Sequence, residues 1–203
     1  MVPPVIIVAI ASSPFETAPL RGSRIHTFAE GPGPRLAARA LENAVSRFPR
    51  IDVLLSIGLC GALDPALGLE TIVSATRVNG HATVPLERTA HRALLSVDRF
   101  LGNIEEKARY FADGFGMVEM EAEPLARWAA QAGTRFHAVK VVSDLAGEAF
   151  RLDFNRYRDA EGRFRVGSIA LHGLRYPADL YRMASRARPA SAKLGEFLLN
   201  YEF

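Results

Sequence analysis

Ile51-Asp52-Val53-Leu54-Leu55-Ser56-Ile57-Gly58-Leu59-Cys60-Gly61 decides the fold. Its first seven residues form an apolar run with β-branched members, which predicts a buried strand, and Gly58 to Pro65 predicts a tight loop at its end. Immediately upstream, Leu36, Ala37, Ala40, Leu41, Ala44, Val45 and Phe48 recur at helical spacing between Gly31-Pro32-Gly33-Pro34 and Pro49, the pattern of an amphipathic helix. Further upstream Val5 to Ile10, within the apolar run Val2 to Ala11, predicts another strand buried on both faces. Strand, helix, strand in this order predicts a right-handed βαβ unit.

Downstream, Thr71 to Val78 and Arg92 to Val97 predict strands, and Glu105 to Ala112 predicts a short helix. Pro124 suits the first turn of a helix carrying Leu125, Trp128, Ala129 and Ala132, which Gly133 stops before the strand Phe136 to Ser143. Beyond Asp144 the pattern predicts a hairpin around Asp159 to Gly162, a helix near Pro177 to Ala187 and another from Pro189 to Leu199. Alternating strands and helices define an α/β class. The 203 residues suit one domain, 1–203, with a basic helical segment from about 151 to 203.

Composition narrows the function classes. With 49% hydrophobic and 23% charged residues the chain is neither disordered nor collagen-like. A lone cysteine, Cys60, forms no internal disulfide, and no Cys or His spacing makes a zinc site, so no metal is expected and a reducing, cytoplasmic compartment fits. The opening apolar run is too short to span a bilayer. No G-x-S-x-G elbow marks a serine hydrolase. Between Arg151 and Pro189, nine arginines face Asp153, Asp159, Glu161 and Asp179, a local excess that suits a solvated surface or an anionic partner. That tail carries no zinc-finger or RNA-recognition motif, so no nucleic-acid partner is expected.

In α/β sheets ligands bind beyond the carboxyl ends of the strands, which directs attention to Glu16, the Gly58 to Gly61 loop, Asp98, Phe100, Glu119-Met120-Glu121 and Asp144. If Val118 to Glu121 is extended, Glu119 and Glu121 share a face and can accept hydrogen bonds from a vicinal diol, while Met120 packs on a sugar or base. Either glutamate also suits the helix N-terminus that follows. Asp144, behind an apolar strand and Ser143, reads as a proton donor or as a cap. Glu16 reads as a general base toward water or as a loop acid, and Phe100 as a base-stacking ring or as core.

Three motifs, in order along the chain, carry a resemblance. Ile57 to Leu67 resembles the glycine loop of the nucleoside phosphorylase and nucleosidase superfamily, Val118 to Ala122 its ribose motif, and Val141-Val142-Ser143-Asp144 its catalytic-aspartate strand. The resemblance implies a single-domain phosphorylase-like α/β fold, a central mixed sheet flanked by helices on both faces. It also implies that Asp144 protonates or hydrogen-bonds a purine at N7, that Glu121 holds the ribose hydroxyls with Met120 and Glu119 beside the sugar, and that Gly61 and Ser143 belong to the same pocket. By the same resemblance Phe100 stacks on the base, the Leu101 backbone lies at the base edge, and Glu16 activates water. No cofactor is implied, only phosphate as a possible co-substrate.

The sequence also departs from the family. Bacterial purine phosphorylases place an arginine and a serine near the glycine loop, where Ser56 and Leu59 stand here, leaving Arg21, Arg24 or Arg35 as the candidate phosphate ligands. The stretches from Glu16 to Gly31 and from Val78 to Val118 are shorter than in typical members, which predicts a trimmed periphery. Asp159 to Arg163 and Leu174 to Leu180 resemble the tail of hopanoid-associated phosphorylases, linked to removal of adenine from an adenosyl-lipid. With Tyr176, Leu180, Tyr181 and Met183, the tail is expected to seat an apolar substrate or to rest at a membrane surface. A homo-oligomer is implied by resemblance alone. The expectation is cleavage of the N-glycosidic bond of a purine nucleoside or 5′-substituted adenosine by phosphate or water, and its alternative is a non-catalytic nucleoside-binding protein.

Overall fold

A computed structural model describes residues 4–203. Its strands are β1 (Ile7–Ala11), β2 (Ile25–Ala29), β3 (Val53–Ala62), β4 (Ile72–Val78), β5 (His81–Ala82), β6 (Ala90–Ser96), β7 (Met117–Glu119) and β8 (Arg135–Asp144). Its helices are α1 (Pro14–Thr17), α2 (Pro34–Arg47), α3 (Ile104–Ala112), α4 (Ala122–Ala132), α5 (Val166–Gly173) and α6 (Pro177–Leu199).

The strands form one mixed sheet in the order β2-β1-β3-β7-β6-β4-β5, with β8 pairing to both β3 and β4. Through β8 the strands β3, β7, β6, β4 and β8 close into a ring. Alternate side chains of β1 and β3 go to opposite faces, as the strand period requires. Val8, Ile10 and Leu54 pack with Ala40, Leu41 and Ala44 of α2 and Leu125, Ala126 and Ala129 of α4. Ile7, Ala9, Val53 and Leu55 pack with Ala190, Leu194 and Leu198 of α6. Helices therefore cover both faces, and the chain is an α/β fold with a central mixed sheet.

Several boundaries differ from the sequence expectation. The first strand is Ile7–Ala11 rather than Val5 to Ile10, and positions 2 and 3 of the apolar run lie outside the described residues. The loop expected from Gly58 is strand as far as Ala62, because β8 pairs with β3 through Cys60 and Gly61 and β7 takes over at Gly61 and Ala62. β1 and β3 are parallel neighbours, but α2 follows the unexpected strand β2, so the crossover to β3 passes over β1. β2 lies at the sheet edge with only Ile25 buried, and its Ile-His-Thr-Phe-Ala sequence carries little hydrophobic pattern. Both stretches expected to be shortened thus hold strands the pattern does not announce, β2 in one and β5 in the other.

The two helices expected on either side of Pro189 are one helix, α6, with Pro189 inside it. Proline removes one helical hydrogen bond, but Ala190, Leu194 and Leu198 are pinned to the sheet and keep the following turns in line. The expected hairpin is reduced to a single antiparallel bridge between Arg158 and Phe164, and α5 follows it. The basic excess is also partly neutralised: Arg156 pairs with Asp153, Arg158 with Asp98, Arg182 with Asp179 and Arg186 with Glu148.

Candidate active site

β1, β3 and β8 run parallel, so their carboxyl ends meet at one edge, and a cavity of about 680 Å³ opens there. It is lined by Glu16, Gly61, Phe100, Leu101, Glu119, Met120, Glu121, Ser143 and Asp144, the residues expected to bind or react with a nucleoside. A cavity of this size takes a small organic ligand.

Asp144 is the last residue of β8 rather than the first beyond it. The register between β3 and β8 slips by one residue there: Cys60 faces Val142, but Gly61 faces Asp144, with Ser143 bulged out. A bulge of this kind re-aims the next side chain. The single Ser143 hydroxyl proton is shared between the Cys60 carbonyl and Asp144 Oδ1, each 3.2 Å from the hydroxyl oxygen. A Cβ on Gly61 would lie 2.9 Å from Asp144 Oδ2, so the bare backbone is what lets the carboxylate sit against the strand.

Gly58 performs the same service for Glu16. Its φ of +131° lies where side chains are strained, and a Cβ there would come within 2.6 Å of Glu16 Oε1. Glu16 closes the first turn of α1 as a capping box: its Oε2 accepts from the Ser13 backbone N–H (2.9 Å), the Ser13 hydroxyl (2.9 Å) and the Ser12 hydroxyl (2.5 Å). Oε1 accepts the Leu59 N–H at 3.1 Å. The carboxylate is thus buried and fixed, and its role in the local turn coexists with its place in the cavity wall.

The ribose motif forms the floor. Glu119 is buried at the end of β7 and accepts the backbone N–H groups of Glu121 (3.0 Å) and Ala122 (3.1 Å), capping α4. Burial alone would raise its proton affinity, but the Lys140 ammonium 2.9 Å away holds the carboxyl below its usual range. Glu121 accepts the Gly33 N–H at 2.9 Å and lies beside Glu119 without an ammonium of its own. Burial, and then the Glu119 charge, push its carboxyl up to about 8. The Lys140 ammonium thus favours the charged form of Glu119, while burial and the Glu119 charge favour the neutral form of Glu121, a form that can both donate to and accept from a hydroxyl.

Two residues of the site lie outside the sequence expectation. Lys140 is fully buried, with its Nζ on Glu119, the Ser56 hydroxyl (3.0 Å) and the Ile57 carbonyl (3.3 Å). Its signal was present, a lone charge inside Ala138-Val139-Lys140-Val141-Val142, because a lysine in a buried strand requires an anionic partner. Lys107 on α3 is also fully buried and reaches Asp144 Oδ2 at 2.5 Å. Ile104-Glu105-Glu106-Lys107 reads as an exposed helical turn, and nothing local distinguishes it.

Phe100 sits edge-to-face against Phe150 and Phe154, with ring centroids 5.1 and 4.9 Å away. Asn155 clamps its backbone, accepting the Phe100 N–H at 2.7 Å and donating to its carbonyl at 2.9 Å. The tail contributes Phe164, Val166, Ile169, Leu180, Met183 and Ala187 to the lining of the cavity, an apolar wall beside the carboxylates of the sheet end. Asp179 anchors that wall by accepting the Arg151 and Leu152 N–H groups at 2.7 and 2.9 Å.

The expected phosphate ligands are elsewhere. Arg24 donates to the Tyr201 carbonyl and Arg35 to the Ala160 carbonyl, and neither these nor Arg21 line the cavity. The arginines that do are Arg99, Arg163 and Arg182, with Arg99 paired to Glu106 and Arg182 to Asp179. Among the described residues no helix is long and apolar enough to cross a membrane, and no cluster of three His, Cys, Asp or Glu side chains forms a metal site.

Residues 84–169 match the family described as the Phosphorylase superfamily. The 5′-methylthioadenosine/S-adenosylhomocysteine nucleosidase of Neisseria meningitidis, solved with methylthio-immucillin-A, superposes with a TM-score of 0.69 over 96% of each chain at 18% identity. The corresponding nucleosidase of S. pneumoniae gives 0.68 over 96% of this chain and 97% of that one at 14% identity. Futalosine hydrolase of Helicobacter pylori gives 0.65 over 96% and 95% at 12% identity. No curated protein matches. Likeness to the Phosphorylase superfamily thus holds in sequence over 84–169, and likeness in fold to these nucleosidases holds over almost the whole chain.

Proposed function

We propose that the protein hydrolyses the N-glycosidic bond of a purine nucleoside with an apolar 5′ substituent, an adenosyl-lipid being the most specific candidate. The observation that carries this reading is the convergence of Glu16, Glu121 and Asp144, from three separate parts of the chain, on one cavity. Asp144, once it has taken up a proton from solvent in the nucleoside complex, passes it to N7, which lets the C1′–N9 bond electrons leave with the base. Glu121 and Met120 hold the ribose, Phe100 and the Leu101 backbone hold the purine, and Glu16 takes a proton from water as its oxygen bonds to C1′. Such a site works by orientation, proton transfer and electrostatics.

Water is favoured over phosphate because Glu16 belongs to the cavity wall while Arg21, Arg24 and Arg35 do not. An apolar substituent is favoured by the wall that α5 and α6 supply. Around it Val166, Leu171, Leu174 and Tyr181 are exposed, and on this reading they rest on a lipid surface or on a second copy of the chain. Adenosine, methylthioadenosine and an adenosine with a long 5′-alkylthio chain, each assayed with and without phosphate, test the reading. Phosphate-independent adenine release, best from the long-chain compound, is expected. Release only with phosphate contradicts hydrolysis, and binding without release makes the protein a nucleoside-binding one.

A further inference from the structure

Lys107 is not explained by the reaction as derived so far. Its side chain is fully buried, yet it does not line the cavity; it approaches Asp144 from α3. All three ammonium protons have acceptors: Asp144 Oδ2 at 2.5 Å, the Leu145 carbonyl at 2.9 Å and the Glu148 carbonyl at 3.4 Å. Burying an ammonium is costly, and a methionine of similar volume would fill the space without that cost. The carboxylate it holds needs fixing, because rotation about the last bond of an aspartate side chain is broad and weakly restrained.

We infer that Lys107 is a positioning residue for Asp144, setting the plane of its carboxylate toward the leaving base. Three constraints define that plane: Lys107 on Oδ2, the Ser143 hydroxyl on Oδ1, and the bare Gly61 backbone that the carboxylate lies against. Lys107 also ties α3 to the turn after β8 through the Leu145 and Glu148 carbonyls. The inference rests on the proposed cleavage of a nucleoside with Asp144 as the acid.

Two leaving groups separate positioning from mere support of the fold. Adenine must be protonated to leave, whereas 4-nitrophenolate on the same 5′-substituted ribose leaves without a proton. For Lys107→Met, kcat on the adenine nucleoside is expected to fall about tenfold or more, with KM changed less than about threefold and nitrophenyl riboside turnover kept within about threefold. Added to Asp144→Asn, Lys107→Met should cause no further loss on the adenine nucleoside. If Lys107→Met does not fold, Lys107→Gln keeps one donor in the same space, and the same comparison is made with it. Equal losses on both leaving groups, or no loss on either, overturn the inference while leaving the reaction intact. A wild-type protein that releases neither adenine nor nitrophenolate overturns the proposed function, and this inference with it.

Discussion

At the residue scale the two neighbouring glutamates are the most informative. Burial raises the proton affinity of both, but the Lys140 ammonium on Glu119 outweighs it there and not at Glu121. A carboxyl whose folded value lies above its unfolded one binds more protons in the folded state, so stability falls as pH rises across that window, here from the ordinary 4.5 toward about 8. Glutamine mimics the neutral form. Melting curves of wild type and Glu121→Gln are therefore expected to agree best near the acid end of that window, with the wild type losing ground as pH climbs through it. A difference that stays constant or runs the other way would mean Glu121 is charged in the fold. The same substitution should weaken ribose recognition, and a 2′,3′-dideoxy substrate turned over as well as its ribo form would contradict the clamp.

Elements turn these residues into a site. The bulge at Ser143 and the glycines of β3 place two carboxylates against bare backbone. Gly61→Ala should displace Asp144, and misplacement on the order of 1 Å can cost about 100-fold in rate. Steady-state kinetics at unchanged melting temperature is the check, and full activity would show that the carboxylate tolerates a Cβ beneath it. Lys140→Met breaks the buried pair and leaves Glu119 without its cation, which is expected to cost about 3–5 kcal/mol in urea unfolding, and a loss below about 1 kcal/mol would contradict a buried, charged Glu119.

Much of this was legible in the sequence, and the reasons are local. β3, α2 and β8 carry strong periodicity, and the three motifs are contiguous, so Gly61, Glu119, Met120, Glu121, Ser143 and Asp144 were named in advance, whereas the lining residues Phe150, Phe154, Phe164 and Ile169 were not. β2 was not legible because an edge strand buries one residue of five and needs no pattern. The extension of β3 through its glycines depends on partners distant in sequence, β7 and β8. Lys107 is invisible for the same reason: its partner lies 37 residues away. Arg21, Arg24 and Arg35 do not line the cavity, because position at a distance in the fold is not legible in a surface arginine; Arg24 donates to the Tyr201 carbonyl and Arg35 to the Ala160 carbonyl.

At the scale of the whole molecule, the carboxylates come from strand ends and from the helix starts of α1 and α4, and the apolar wall comes from the tail. Asp179 and the Arg186–Glu148 pair, with contacts of 2.7 and 2.9 Å, hold the tail in place. Lengthening an apolar 5′ chain should lower KM stepwise, by up to about 0.8 kcal/mol for each methylene that becomes buried. A KM indifferent to chain length would separate the tail from substrate binding.

The most direct test of N-glycosidic hydrolysis is a single-turnover reaction in phosphate-free ¹⁸O-labelled water, with adenine and the released sugar both measured by mass. Wild type is expected to release adenine and one equivalent of sugar carrying the label at C1′, while Asp144→Asn binds the nucleoside and turns over about 100-fold more slowly or worse. Bound nucleoside recovered intact from the wild type, or sugar without label, would contradict hydrolysis at this site.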